Sequence, residues 1–340
     1  MKKKQKQPGE LALIEQIRRG ETARGRGIVL GIGDDCAILR PAVGSEVLVT
    51  TDFTLEGRHF RRDLHPAESV GHRCLARGLS DLAAMGAAPL AAFLSLALPR
   101  EMLATPKGRG WVEGFFGGWR GLGRRYGVPL AGGDTAESPN GLVLADIVLV
   151  GTAPAGTALR RSGGRAGDAL YCTGRLGGAA AELEGLFARG RMARVTDVEE
   201  HPQLFPEPRL RVAEALRRRG LARACLDLSD GLSTDLAHLC AESGVHAEVE
   251  EAWLPLHPLT ARMGEARALE LALHGGEDYE LLFSADASVR VPRRIAGVAV
   301  TRIGRLTRRR RGEAVVTLVR GDGRREALPA GGWEHFAGSA

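Results

Sequence analysis

What most restricts the fold of this chain is an alternation of short β-branched runs with helical spacings, repeated on both sides of one aperiodic stretch. That stretch, residues 151–168 (GTAPAGTALRRSGGRAGD), follows neither a period of two nor one of 3.6. Before it, Glu10 to Arg19 sets Leu13, Ile14 and Ile17 on one helix face, and residues 66–84 and 108–126 have helical spacing, the first opened by Pro66. Residues 28–30, 46–51, 91–98 and 142–150 read as strands. After it, strands are expected at 169–173, 225–228, 279–283 and 315–319, and helices at 177–189, 208–219 and 233–242. Strands alternating with helices in both halves give an α/β or α+β fold. The 340 residues suit two domains at about 150 residues each. The expected division is a basic tip over 1–9, an N-terminal domain over 10–151 and a C-terminal domain over 152–340.

Charge and cysteine content narrow the function. Net charge is +6, yet residues 301–330 alone hold nine arginines against three acids, so the rest of the chain sums to zero. A uniformly basic nucleic-acid surface is therefore disfavoured. No run approaches the ~20 apolar residues of a membrane span. The start, MKKKQKQPGE, lacks the apolar segment of a signal peptide. Five scattered cysteines form no CxxC pair, so a reducing cytoplasm is the expected compartment.

The acids cluster beside glycines. Gly33-Asp34-Asp35, Thr51-Asp52, Ser80-Asp81, Gly133-Asp134, Asp227-Leu228-Ser229-Asp230-Gly231 and Gly276-Glu277-Asp278 fall where strands or helices are expected to meet turns. One such site alone is ordinary turn or cap chemistry. Six together, without His or Cys partners, suit Mg²⁺, which bridges carboxylates and phosphate oxygens. Asp227 and Asp230 flank a strand–helix corner whose helix N-terminus offers N–H groups to an anion. Ser229 reads equally as an N-cap or as a functional residue, and Asp235, one turn into the helix, as structural. His59 reads equally as a ligand contact or a surface histidine. GxxxxGK[ST], GxSxG, HExxH and zinc spacings are absent, and Gly31-Ile32-Gly33 continues into two aspartates where a pyrophosphate would sit.

Taken in order, GIGDDCAIL (31–39), TTDFTLEGRHF (50–60), LSDLAAMGA (79–87), GGDT (132–135), RSGGRAGD (161–168), DLSDGLSTDL (227–236), GGEDYELLF (275–283) and GWEHF (332–336) resemble the thiamine-monophosphate kinase family. The resemblance covers almost the whole chain. It implies a two-domain fold like that of aminoimidazole ribonucleotide synthetase, dimerising through the sheet of its N-terminal domain. It also implies Mg²⁺-dependent transfer of the ATP γ-phosphoryl group to thiamine phosphate, giving thiamine diphosphate in a cytoplasmic homodimer. Carried over by residue, the ligands of several Mg²⁺ ions are Asp35, Thr50, Thr51, Asp52, Asp81, Asp134, Asp227 and Asp230, with Asp81, Asp134 and Asp230 catalytic. ATP contacts fall to Gly133, Asp134, Arg161 and Ser229. Thiamine phosphate contacts fall to His59, Glu277 and Trp333. The chain departs from the pattern in a longer stretch between Pro99 and GGDT. Phe116 also stands where the resemblance implies a tyrosine near adenine. A selenophosphate synthetase-like reading would call for a reactive Cys in the N-terminal tip, which has none.

Overall fold

This computed structural model describes residues 10–20, 27–192, 195, 197–334 and 336. The expected basic tip lies outside them. Contacts divide the chain into two compact units. One comprises Met1–Leu79, Pro89–Ala155 and Gly190–Arg194; the other comprises Ser80–Ala88, Gly156–Arg189 and Val195–Ala340. The main break falls after Ala155, and the short segments 80–88 and 190–194 each group with the unit on its far side.

The first unit runs α1 (Glu10–Gly20), β1 (Ile28–Leu30), β2 (Ile38–Leu39), β3 (Ser45–Leu55), α2 (Ala67–Ala84), β4 (Ala88–Leu98), α3 (Glu101–Ala104), α4 (Pro106–Tyr126), β5 (Leu130–Glu137) and β6 (Leu144–Pro154). Its four-stranded sheet has the order β3-β6-β4-β5, with β3–β6 antiparallel and β4–β5 parallel. Glycine inside a helix costs ~1 kcal/mol against alanine, yet α2 keeps Gly71 and α4 keeps Gly118 because the helices touch backbone to backbone there. A Cβ on Gly71 would collide with the Phe115 carbonyl, and one on Gly118 with the Glu68 carbonyl. That crossing buries Phe115, Phe116 and Trp119, each contributing roughly 2–3 kcal/mol by the apolar area it removes from water.

The second unit runs β7 (Ala169–Thr173), α5 (Gly178–Arg189), α6 (Leu210–Arg218), β8 (Ala224–Asp227), α7 (Leu232–Ser243), β9 (Val245–Glu250), α8 (Glu265–His274), β10 (Leu281–Ala285), β11 (Arg294–Ile295), β12 (Val298–Arg308), β13 (Val316–Val319) and β14 (Arg325–Ala327). The strands follow the order β14-β13-β9-β12-β7-β10-β8, with β9–β13 parallel and the other neighbours antiparallel. Leu226, Leu232, Leu236, Leu239, Val249, Leu282 and Ile303 belong to the buried core beneath it. Here much of the arginine-rich segment becomes sheet, and part of its charge is matched locally. Arg305 and Arg325 both pair with Glu248 on β9, Arg320 with Glu251 and Glu326, and Arg324 with Asp322.

Two expectations shift and several elements are new. The strand expected from Tyr279 starts at Leu281, because Glu277 (φ 65°) and Tyr279 (φ 49°) take left-handed conformations. The aperiodic stretch begins as strand, since β6 runs on to Pro154. Among the elements without an expectation, β5 (LAGGDTAE) has little intrinsic β preference and is a strand because β4 pairs with it. In β12 every third or fourth residue is arginine, which masks its alternation.

Candidate active site

In the second unit two loops zip together. The Leu228 N–H donates to the Glu280 carbonyl (2.8 Å), the Tyr279 N–H to the Leu228 carbonyl (2.9 Å) and the Glu277 N–H to the Ser229 carbonyl (2.8 Å). A third segment seats on the same corner. Gly331 N–H donates to Ser233 Oγ (3.2 Å), Gly332 N–H to Thr234 Oγ1 (3.0 Å) and Trp333 N–H to the Asp230 carbonyl (2.9 Å). Residue 332 has to be glycine, since a Cβ would overlap the Asp230 carbonyl. Trp333 is held by its backbone yet stays 52% exposed. The motifs DLSDG, GGEDYE and GGW, far apart in sequence, thus form one platform carrying Asp227, Ser229, Asp230, Glu277 and Trp333.

The platform's electrostatics are tense. Asp227 is buried at the end of β8, where the Ser80 hydroxyl donates to its Oδ2 at 2.6 Å. Asp235 Oδ2 accepts the N–H groups of Asp230 (3.1 Å) and Gly231 (3.0 Å). Burial first, then the charges of Asp227 and Asp230, push its carboxyl up to about 8. Asp235 is structural, as its position in the helix suggested. It also takes two of the N–H groups that the corner was expected to offer an anion. Gly231, not Ser229, occupies the N-cap of α7. Asp278 turns the other way from the platform and accepts the N–H groups of Gly177 (2.7 Å) and Ala179 (3.2 Å) at the start of α5; burial pushes it up to about 7. Glu280 is locked in a two-pronged pair with Arg209 (2.7 and 2.5 Å) and accepts from Thr173 Oγ1 (2.6 Å). Arg161 is exposed, and its carbonyl accepts from Ser243 Oγ (2.9 Å). Asp81 lies in the last turn of α2, next to Ser80.

The first unit treats its expected ligands differently. Thr50, Thr51 and Asp52 sit inside β3, opposite Leu149, Val148 and Ile147, rather than at a strand end. Side chains alternate along a strand, so Thr51 faces away from Thr50 and Asp52. Both oxygens of Asp52 are held by Arg77, at 2.9 and 2.7 Å. Asp52 is thus a half-buried ion pair here, and its expected metal ligation would draw it from Arg77. Asp35 is exposed, and its N–H is held by Asp34 Oδ1 at 2.9 Å. Gly133 (φ 148°) and Asp134 lie within β5, and a Cβ on Gly133 would overlap the Leu94 carbonyl. Asp134 is exposed beside a cavity of ≈ 100 Å³ whose lining includes Ile14, Ile17, Gly132, Gly133 and Phe116. His59 folds back on its own chain, its Nδ1 accepting the Leu55 N–H at 3.0 Å.

Among the described residues, no three His, Cys, Asp or Glu side chains stand together as a metal cage. Mg²⁺ binds through one or two carboxylates and completes its shell with phosphate oxygens and water. The all-oxygen donor set and the mutual repulsion at Asp227, Asp230 and Asp235 fit it.

Family models described as AIR synthase related protein match residues 33–153 (N-terminal domain) and 165–317 (C-terminal domain). The thiamine-monophosphate kinase of Salmonella typhimurium is 37% identical over 338 residues, covering 97% of this chain and 98% of that one. The chain belongs to the thiamine-monophosphate kinase family. The crystal structure of the thiamine-monophosphate kinase from Stenotrophomonas maltophilia K279a has a TM-score of 0.78 at 36% identity, covering 94% of this chain and 98% of that one. AaThiL complexed with AMPPCP and TMP has a TM-score of 0.73 at 30% identity, covering 96% of this chain and 97% of that one.

Thiamine-monophosphate kinase family membership bears out the fold expected from the ordered motifs: mixed α/β, in two parts, like AIR synthase. No helix among the described residues is long and apolar enough to cross a membrane. Ser80, Thr234 and Arg209 carry no expectation from the sequence. Ser80 adjoins an expected aspartate and Thr234 lies within DLSDGLSTDL, but their contacts reach 147 and 98 residues along the chain.

Proposed function

We infer that the chain transfers the γ-phosphoryl group of ATP directly to the phosphate of thiamine phosphate. The bond from the γ-phosphorus to the β–γ bridging oxygen breaks, and one forms to an acceptor phosphate oxygen, leaving ADP and thiamine diphosphate. The observation that carries this reading is 37% identity to a thiamine-monophosphate kinase over almost the full length of both chains. The solved AMPPCP and TMP complex of a similar chain supports it.

The acceptor oxygen is already ionised at neutral pH, so the reaction needs alignment and charge screening rather than a strong base. Mg²⁺, when bound, screens donor from acceptor phosphates, which repel strongly at contact distance. Asp227, Asp230 and Asp81 are the residues of the second unit that would hold Mg²⁺ ions, and Asp134 and Asp35 are those of the first. Ser80 orients Asp227. Gly133 and Asp134 of the first unit, and Arg161 and Ser229 of the second, are the residues assigned to ATP. Trp333, Glu277 and His59 receive thiamine phosphate. The assay is thiamine diphosphate formation from ATP, Mg²⁺ and thiamine phosphate, with free thiamine as the control acceptor. Product from thiamine phosphate alone supports the reading, and product from free thiamine or from neither overturns it.

The reading also makes the chain a cytoplasmic homodimer, where ATP and reduced thiols are available. The outer row of β3, an edge strand, supports the dimer, with Val47 50%, Val49 62% and Phe53 58% exposed. Phe53→Lys should shift the assembly to monomer in light scattering; an unchanged mass would place the interface elsewhere.

A further inference from the structure

We propose that Gln203 is a positioning residue for Glu277, and so sets the affinity for the acceptor phosphate ester; this rests on the reading of Glu277 as a thiamine phosphate contact. Gln203 lies between the short 3-10 turn Val198–Glu200 and α6, in a stretch without motif or periodicity. It is 1% exposed, and its Nε2 donates to Glu277 Oε2 at 2.9 Å. Its backbone is tied down in turn. The Gln203 N–H donates to Glu182 Oε2 at 2.8 Å, and Glu182 Oε1 stands 2.6 Å from His201 Nδ1.

A buried amide is costly unless its hydrogen bonds are made, and an apolar side chain would fill the same space without that cost. Its use here is directional. Glu277 sits at φ 65°, a conformation that L-residues avoid unless the surroundings impose it. The Glu277 N–H is fixed on Ser229, and the next residue, Asp278, is anchored in the first turn of α5. Those contacts fix the Glu277 backbone. Gln203 fixes its carboxylate, and is itself tied to the helix that Asp278 grips, since Glu182 lies on α5. A carboxylate held in place before binding loses little freedom on meeting a ligand, and a fixed negative charge suits the permanently cationic thiazolium ring of thiamine. Gln203 touches no reacting atom in this account; it acts through Glu277.

The test uses the full chain and steady-state kinetics with both substrates. Gln203→Met should raise KM for thiamine phosphate about fivefold or more while KM for ATP stays within about twofold. On a Glu277→Gln background, Gln203→Met should add less than about a twofold change, because the residue it acts through is already altered. Gln203→Glu gives a second readout that tolerates a folding defect in the first variant. Its KM ratio to the wild type should fall toward one from about pH 8 to about pH 6, as the new carboxyl gains a proton it can donate to Glu277. Equal rises in both KM values, additivity in the double variant, or a pH-independent ratio would overturn the proposal. If Glu277→Gln alone leaves KM for thiamine phosphate unchanged, it is the reading of Glu277 that fails, not the Gln203 contact.

Discussion

In the first unit Asp52 gives both its oxygens to Arg77, whereas in the second Asp227, Asp230 and Asp235 crowd one corner and Asp235 is driven up to about 8. A paired acid of the first kind contributes stability. A crowded set of the second kind carries repulsion that a divalent cation relieves. The same residue type thus makes a half-buried ion pair in one place and, in the other, a set of like charges at the corner proposed to bind polyanions. That difference also separates positions that look alike in sequence, since Thr51-Asp52 and Ser229-Asp230 are both short polar pairs beside apolar runs.

The largest test of that contrast is removal of a charge from the proposed metal set. Asp81→Asn and Asp230→Asn should each lower kcat at least about tenfold, or ~1.4 kcal/mol of transition-state stabilisation, with the circular dichroism spectrum unchanged. Near-wild-type turnover at saturating Mg²⁺ in either variant would remove that residue from the metal set. Trp333→Ala should act on the acceptor side, raising KM for thiamine phosphate about tenfold with little change for ATP. A shift in KM for ATP instead would reverse the assignment of substrates.

Asp52→Asn should do the opposite of Asp230→Asn. It strands a half-buried guanidinium, so stability should drop by about 1–3 kcal/mol in urea denaturation while the Mg²⁺ dependence of the rate stays as in the wild type. A raised Mg²⁺ requirement would restore Asp52 to the ligand set. The smallest effect concerns protons. Asp235 (about 8) and Asp278 (about 7) keep in the folded chain protons that the unfolded chain releases near 3.8. Their contribution to stability is therefore complete at acid pH and lost as pH rises through 7 to 8. Asp235→Asn keeps both N–H bonds on one oxygen and removes that titration. In Mg²⁺-free buffer its Tm should fall less than the wild type's between about pH 6 and pH 9, by about 2–4 °C. Parallel curves would mean that Asp235 is ionised in the fold throughout.

Much of the platform was legible because its residues are contiguous. Asp227, Ser229 and Asp230 fall in one motif and Glu277 in another, and local spacing tied the first to a strand–helix corner and the second to a turn. What spacing could not convey was direction and distance. Nothing in the spacing shows that Arg77, 25 residues on, holds both oxygens of Asp52. Ser80 reaches Asp227 across 147 residues, and Gln203 reaches Glu277 across 74, from a segment with no pattern. The left-handed turns at Glu277 and Tyr279 were hidden for a related reason. Neither residue type favours that conformation, so only the zipped partner loop reveals it. The arginine-rich end was legible as charge but not as sheet, because its balancing acid, Glu248, sits on another strand.

The central claim, direct phosphoryl transfer at the crowded corner, is tested most directly with ATP labelled in its γ-phosphate. The label should appear in the terminal phosphate of thiamine diphosphate, one for each ADP formed. Transfer should be nearly lost in Asp230→Asn and retained in Asp52→Asn wherever that variant is folded. Label released as free phosphate, or transfer lost in Asp52→Asn but kept in Asp230→Asn, would contradict the account.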